Sequence, residues 1–362
     1  MAAPRWRWAR RGLAYAAILA CSSLTARTFA QSFARDQHLV NSRRVATNAN
    51  PQVDSLVAAV AYGKAEEILE LLEGGAEASI PDSNGQTALV AAALRGDGQL
   101  LQTLLDTDAD VDAPNSNGVT ASLAASYLGH SNILARLISA GCNLGAVNKA
   151  GATALFAAAE GGQVEAARIL VEAGADVNHA GAMNATSLFA ALQEGHLPMV
   201  SLLLELRADV NWVAANDATP LLLAAQLGMT DVAEVLLDAG ARVDHRVPQR
   251  MNASALIQAS QQGFGELVEL LLARKASVDL ARSQGITALM MASQAGHSEV
   301  VSLLIDGKAD VNQLRDDGGT ALMFAAQSGH HNIAKQLVKA KAKVELEASS
   351  GATALGLAAR NQ

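Results

Sequence analysis

Ahead of Asp54 the apolar residues keep no sustained period, apart from one short run near the N-terminus. From Asp54 onward they fall into paired helical segments that recur to the end of the chain. Each recurrence opens on Thr-Ala-Leu or a close variant, at Thr87, Thr120, Thr153, Thr186, Thr219, Ser254, Thr287, Thr320 and Thr353. The intervals are 33, 33, 33, 33, 35, 33, 33 and 33 residues, a register that chance does not produce. An Ala-rich segment such as Thr153 to Ala159 predicts a short helix with the hydroxyl residue as its N-terminal cap. Gly follows, as in Gly129-His130, Gly195-His196, Gly296-His297 and Gly329-His330. It predicts a helix end closed by a left-handed residue. A second segment then carries apolar residues at helical spacing, for example Val300, Val301, Leu303, Leu304 and Ile305. A Gly-Ala-Asp-Val-Asn element (Gly174 to Asn178) closes the unit, and a Gly- and Asn-rich run leads to the next Thr.

One such helix pair cannot bury its apolar faces alone, so neighbouring units must stack into a continuous core. Two helices and a turn at a 33-residue period resemble the ankyrin-repeat family over residues 54–362. The resemblance implies an all-α repeat solenoid of helix-turn-helix units joined by β-hairpin fingers. The expected organisation is a divergent first repeat at 54–86, eight full repeats over 87–352 and a partial last repeat at 353–362. The first unit lacks Thr-Ala-Leu and carries Glu66, Glu67, Glu70 and Glu73 on its second helix, as suits a terminal repeat facing water. At the other end, the single helix after Thr353 is either a minimal cap or the start of a longer chain.

Two features depart from the family pattern. The family's Thr-Pro-Leu-His keeps its Pro only at Thr219-Pro220, and its His position holds Val90, Leu123, Phe156, Phe189, Leu222, Ile257, Met290 and Met323. Apolar packing must there replace any hydrogen bonds between repeats. The 35-residue unit places its two extra residues within His245 to Asn252, so this finger is expected to protrude or tilt.

Composition sharpens the picture. Half of the 362 residues are apolar but only 3% are aromatic, which suits thin stacked helices better than a core built around large rings. Residues 1–30 read as a leader: Arg5, Arg7, Arg10 and Arg11 precede an apolar run from Gly12 to Leu24, and Thr28-Phe29-Ala30 offers small residues for cleavage. This predicts a secretory signal peptide and an extracellular or secretory-pathway location. The absence of acids before Asp36 also fits a plastid or mitochondrial transit peptide. Residues 31–53 read as a flexible polar lead-in. Without residues 1–30 the chain loses five arginines and no acid, taking its formal charge from −8 to −13. Such a body argues against nucleic acid as a partner, because it has counterions of the wrong sign to release. It suits a partner with a basic patch, or simply a soluble surface. No membrane span is expected in the mature chain, which is read as a monomer. Of the two cysteines, Cys21 lies in the leader and Cys142 stands where sister repeats carry Ala175 and Ala241, so a buried structural thiol is expected.

No catalytic, cofactor or metal motif is found: HExxH, CxxC, Gly-x-Ser-x-Gly, Walker A and GxGxxG are all missing. The Gly-His histidines recur with the repeat, and His330-His331 lacks a third ligand. The expectation is a non-catalytic scaffold without cofactors that binds a protein or peptide. The alternative is a structural spacer acting through its ends. In the family, the fingers and the exposed end of each first helix form a concave groove. The matching positions are Leu94-Arg95, Tyr127-Leu128, Glu160-Gly161, Gln193-Glu194, Gln226-Leu227, Gln261-Gln262, Gln294-Ala295 and Gln327-Ser328. Gln193, Gln226, Gln261, Gln294 and Gln327 would form a ladder of amides, or are simply good exposed helix formers. Trp212 reads as an interface anchor or as cover for the next finger, and Arg246, Arg250 and Met251 as a basic, apolar finger tip. Lys335, Lys339, Lys341 and Lys343 read as a solvated face. Asn184-Ala-Thr186 and Asn252-Ala-Ser254 fit the N-glycosylation pattern, or occur there for turn and capping reasons.

Overall fold

A computed structural model describes residues 51–215, 217–245 and 253–360. The leader and nearly all of the expected lead-in lie outside them. The described residues divide into two compact units, with the boundary between Ala208 and Asp209.

The first unit holds five helix pairs. These are α1 (Pro51–Tyr62) with α2 (Ala65–Glu73), α3 (Ala88–Arg95) with α4 (Gly98–Leu105), and α5 (Ala121–Leu128) with α6 (Ser131–Ser139). They continue as α7 (Ala154–Glu160) with α8 (Val164–Glu172), and α9 (Ser187–Gln193) with α10 (Leu197–Glu205). The second unit repeats the arrangement with α11 (Pro220–Leu227) and α12 (Thr230–Asp238), α13 (Ala255–Gln262) and α14 (Gly265–Ala273), and α15 (Ala288–Ala295) and α16 (Ser298–Asp306). It ends with α17 (Ala321–Gln327), α18 (His331–Lys339) and the single helix α19 (Ala354–Ala359). α1 begins at Pro51, three residues inside the expected lead-in, where a proline suits the first helical position; Val53 is buried.

Within each unit the first helix of a pair packs on the first helix of the next, as α3 on α5 on α7 and α13 on α15 on α17. Second helices likewise form their own row, as α4 on α6 on α8 and α14 on α16 on α18. The first helices are rich in alanine because they lie between two neighbours. Ala157, Ala158 and Ala159 of α7, like Ala124 and Ala125 of α5, are fully buried. The second helices bury one stripe only: Val300, Val301 and Leu304 in α16, and Ile133, Leu134 and Leu137 in α6.

Each Thr-Ala-Leu hydroxyl caps its helix as expected, except that of Thr186. Thr153 Oγ1, for instance, accepts from the Phe156 N–H at 3.3 Å. Thr153→Val keeps the shape and removes the acceptor from a buried site, so it is expected to cost about 1 kcal/mol. Denaturant unfolding followed by circular dichroism measures this, and an unchanged midpoint would show the cap to be idle.

The fingers follow a hairpin path without forming strand ladders. Among the described residues only isolated bridges occur, at Arg282–Ile286 and Glu347–Thr353. Each described tip is closed instead by a backbone bond across five residues, such as Asn148 N–H to Ala152 C=O at 3.1 Å or Arg315 to Gly319 at 2.9 Å. Asn148 Oδ1 also accepts from the N–H groups of Ala150 and Ala152, so the Asn-rich runs are turn chemistry. At the finger bases a polar side chain accepts from the backbone of the next repeat. Asp112 accepts from Asn143, Asn211 from Arg242, Asp279 from Asp310 and Asn312 from Lys343. The last residue of the Gly-Ala-Asp-Val-Asn element is thus an inter-repeat acceptor, while the Asp two residues before it accepts within its own finger, as Asp209 does from the Asn211 N–H.

Candidate functional site

The ends of the first helices carry the residues singled out from sequence. In the first unit these are Tyr127 and Leu128 on α5, Glu160 on α7 and Gln193 on α9; in the second they are Gln226, Gln261, Gln294 and Gln327, on α11, α13, α15 and α17. Tyr127, Leu128, Gln193, Gln226 and Gln261 are half-buried, and Gln294 and Gln327 are exposed. Among the described residues the carboxamides of Gln193, Gln226, Gln261 and Gln294 hydrogen-bond to nothing in the chain. Two of their backbones are nevertheless fixed from the next repeat. The Nε2–H of His297 donates to the Gln261 carbonyl and that of His330 to the Gln294 carbonyl, both at 3.1 Å. His196 does the same to the Glu160 carbonyl at 3.1 Å. His196, His297 and His330 therefore tie one repeat to the end of the preceding first helix. Apolar packing at the former His position, with Leu123 and Ile257 fully buried, is accompanied by hydrogen bonds from these other histidines.

Glu160 stands apart from its sister positions. It is only 7% exposed, and its Oε2 is buried without a hydrogen-bond partner. Burial first, and then the nearby Glu194, push its carboxyl up to about 8. The Tyr127 phenol is raised as well, by burial and then by Glu160 and Glu194. Gly161 accounts for this squeeze. A Cβ at residue 161 would collide with the Tyr127 carbonyl oxygen, so its absence lets the two repeats close on one another beside the Glu160 side chain. Sequence placed Glu160 at a groove position but did not single it out. The available signal was an acid followed by Gly161-Gly162 where sister repeats carry Gln.

The remaining candidates separate. Trp212 is half-buried at a finger base, where its N–H donates to the Asp209 carbonyl, while its neighbour Asn211 reaches Gly240 and Arg242 of the next repeat. Arg246, Arg250, Met251 and Asn252 lie outside the described residues. Asn184 is exposed and left-handed in a short 3-10 turn, next to a buried Thr186. Lys335, Lys339, Lys341 and Lys343 are exposed. Cys142 is buried and free, and burial followed by Asp112 pushes its thiol up to about 11. Arg315 pairs with Asp317 through two nitrogens and lies over the Phe324 ring, 5.3 Å from its centre, which clamps one finger to α17. Among the described residues no group of three or more His, Cys, Asp or Glu side chains could hold a metal ion. None of their helices is long and apolar enough to cross a membrane.

Comparison with known proteins agrees with this geometry. The family model for ankyrin repeats (3 copies) matches residues 56–148, 122–214, 180–247, 221–315 and 289–362. The crystal structure of the human ASB11 ankyrin repeat domain is similar at 30% identity and a TM-score of 0.55, with 62% of this chain and 99% of that chain covered. No curated protein matches. The inter-repeat histidines, capped alanine-rich helices and turn-closed fingers, together with these matches across the chain, show that it belongs to the ankyrin-repeat family.

Proposed function

We propose that the chain is a non-catalytic scaffold that binds a protein or peptide segment through its first-helix ends and fingers. Ankyrin repeats generally mediate protein–protein interaction. The observation that carries the finer reading is the set of amides on successive first helices of the second unit. The Gln261 and Gln294 backbones are held by His297 and His330, while the carboxamides of Gln226, Gln261 and Gln294 are used by nothing among the described residues. A side-chain amide can both donate to and accept from an extended backbone, so such a series suits a peptide main chain. Tyr127, Leu128 and Trp212 supply the larger anchors, since a few buried aromatic or apolar contacts dominate most interfaces.

The test uses the full chain as bait, followed by calorimetry with the partner it retains. Trp212→Ala is expected to weaken binding about tenfold or more, and Gln226→Ala with Gln261→Ala to weaken it further. Unchanged affinity in these variants and in Tyr127→Ala and Leu128→Ala would exclude the groove. The exposed Leu355 on α19 favours the second reading, a spacer acting through its ends. Light scattering on Leu355→Lys discriminates, because a mass equal to the monomer before and after the change removes end contacts. We further propose that residues 1–30 direct the chain into the secretory pathway. Mass spectrometry of the mature N-terminus and of Asn184 tests both the leader and the sequon.

A further inference from the structure

We propose that Tyr127, Glu160 and Glu194 form a subsite for a basic side chain, taking the ammonium or guanidinium group of a lysine or arginine in the bound segment. The proposal rests on the binding reading above and adds the chemistry of one anchor.

The three side chains come from successive repeats of the first unit and meet at the ends of α5, α7 and α9. Glu160 is the floor, 7% exposed, with Oε2 lacking any partner in the chain. Glu194 is exposed and Tyr127 is half-buried, and both lie close enough to Glu160 for the charges to act on one another. Neither glutamate makes an ion pair among the described residues. An unmatched carboxyl oxygen beside a second carboxylate requires a donor, and a cation satisfies both groups at once. The tyrosine ring adds a face on which an ammonium or guanidinium group can rest. The groups facing Glu160 are the Tyr127 phenol, the Glu194 carboxylate and His196, whose Nε2–H is held by the Glu160 backbone carbonyl. Burial and then the Glu194 carboxylate oppose its ionisation. An incoming cation reverses that, so binding releases a proton and strengthens as the pH rises from 6 to 8.5.

The experiment measures anisotropy of fluorescent peptide pools with uncharged random flanks and a central arginine, lysine or citrulline, against the full chain. Citrulline keeps the shape of arginine without its charge. At pH 8.5 the arginine and lysine pools are expected to bind about tenfold more tightly than the citrulline pool. At pH 6 this ratio shrinks. Glu160→Gln brings it close to one, and Glu194→Gln, at an exposed position, lowers it. Glu66→Gln with Glu67→Gln, on α2, leaves it unchanged. A ratio that survives Glu160→Gln and Glu194→Gln, or that falls as much in the α2 variant, overturns the subsite in favour of general acidity. Equal binding of all pools overturns the subsite and leaves the groove reading standing, whereas no binding of any pool overturns both.

Discussion

Glu160→Gln is expected to stabilise the folded chain at pH 8.5 by roughly 4–5 kcal/mol and to leave its stability almost unchanged at pH 4. The reason is a carboxyl raised from an ordinary value of 4.5 to about 8 by burial and by Glu194. Below pH 4.5 the group is protonated in both folded and unfolded chains and costs nothing. Between 4.5 and 8 the unfolded chain ionises while the folded chain retains its proton, so stability falls as the pH rises. Above 8 both states are ionised and the loss is complete, amounting to roughly 5 kcal/mol at about 1.4 kcal/mol for each pH unit of the shift.

Glutamine has the shape of the protonated acid without its titration, and it restores the residue found in the sister repeats at 193, 226, 261, 294 and 327. Denaturation midpoints of the two proteins at pH 4, 6 and 8.5 measure the effect. A difference between them that stays constant over this range would show that Glu160 ionises freely in the folded state. The retention of an acid there at a cost in stability fits a role in binding, since a group whose charge is suppressed in the free chain is available to a partner that restores it.

The regular part of this molecule was open to inspection in its sequence. Nine threonine or serine starts in register gave the first-helix positions, because the cap, the alanine-rich segment and the terminating glycine each have a local cause. The stripe of Val300, Val301 and Leu304 was equally local. What lay hidden depends on contacts between repeats. His196, His297 and His330 looked like mere periodicity, and only their placement beside the carbonyls of Glu160, Gln261 and Gln294 gives them work. The work of the Asp and Asn residues at the finger bases is not visible within one repeat, since Asp112 and Asn312 accept from backbone 31 residues away. Strand pairing in the fingers was implied by family resemblance alone. The five-residue turns at Asn148 and Arg315 leave too little extended chain for a ladder. The burial of Glu160 required knowing that Gly161 brings the Tyr127 backbone close, which no single repeat reveals.

Gly263→Ala is expected to destabilise the second unit by roughly 2–4 kcal/mol, far beyond a typical exposed substitution. Two causes combine. Gly263 closes α13 with φ +83°, a left-handed conformation that costs an alanine about 1 kcal/mol or more. A Cβ there would also stand 2.5 Å from Nδ1 of His297, whose ring covers the glycine from the next repeat. Moving that ring breaks its 3.1 Å bond to the Gln261 carbonyl, worth about 1 kcal/mol. The two costs are separable. In Gly263→Ala with His297→Ala the collision disappears while the backbone strain remains, so the double variant should be more stable than the sum of the single losses implies, by about 1 kcal/mol. Strictly additive losses would show that the ring swings aside freely and that conformation alone demands the glycine. A coupling of the expected sign would establish that these histidines lock successive repeats together, holding each first-helix end in place for the side chain it presents.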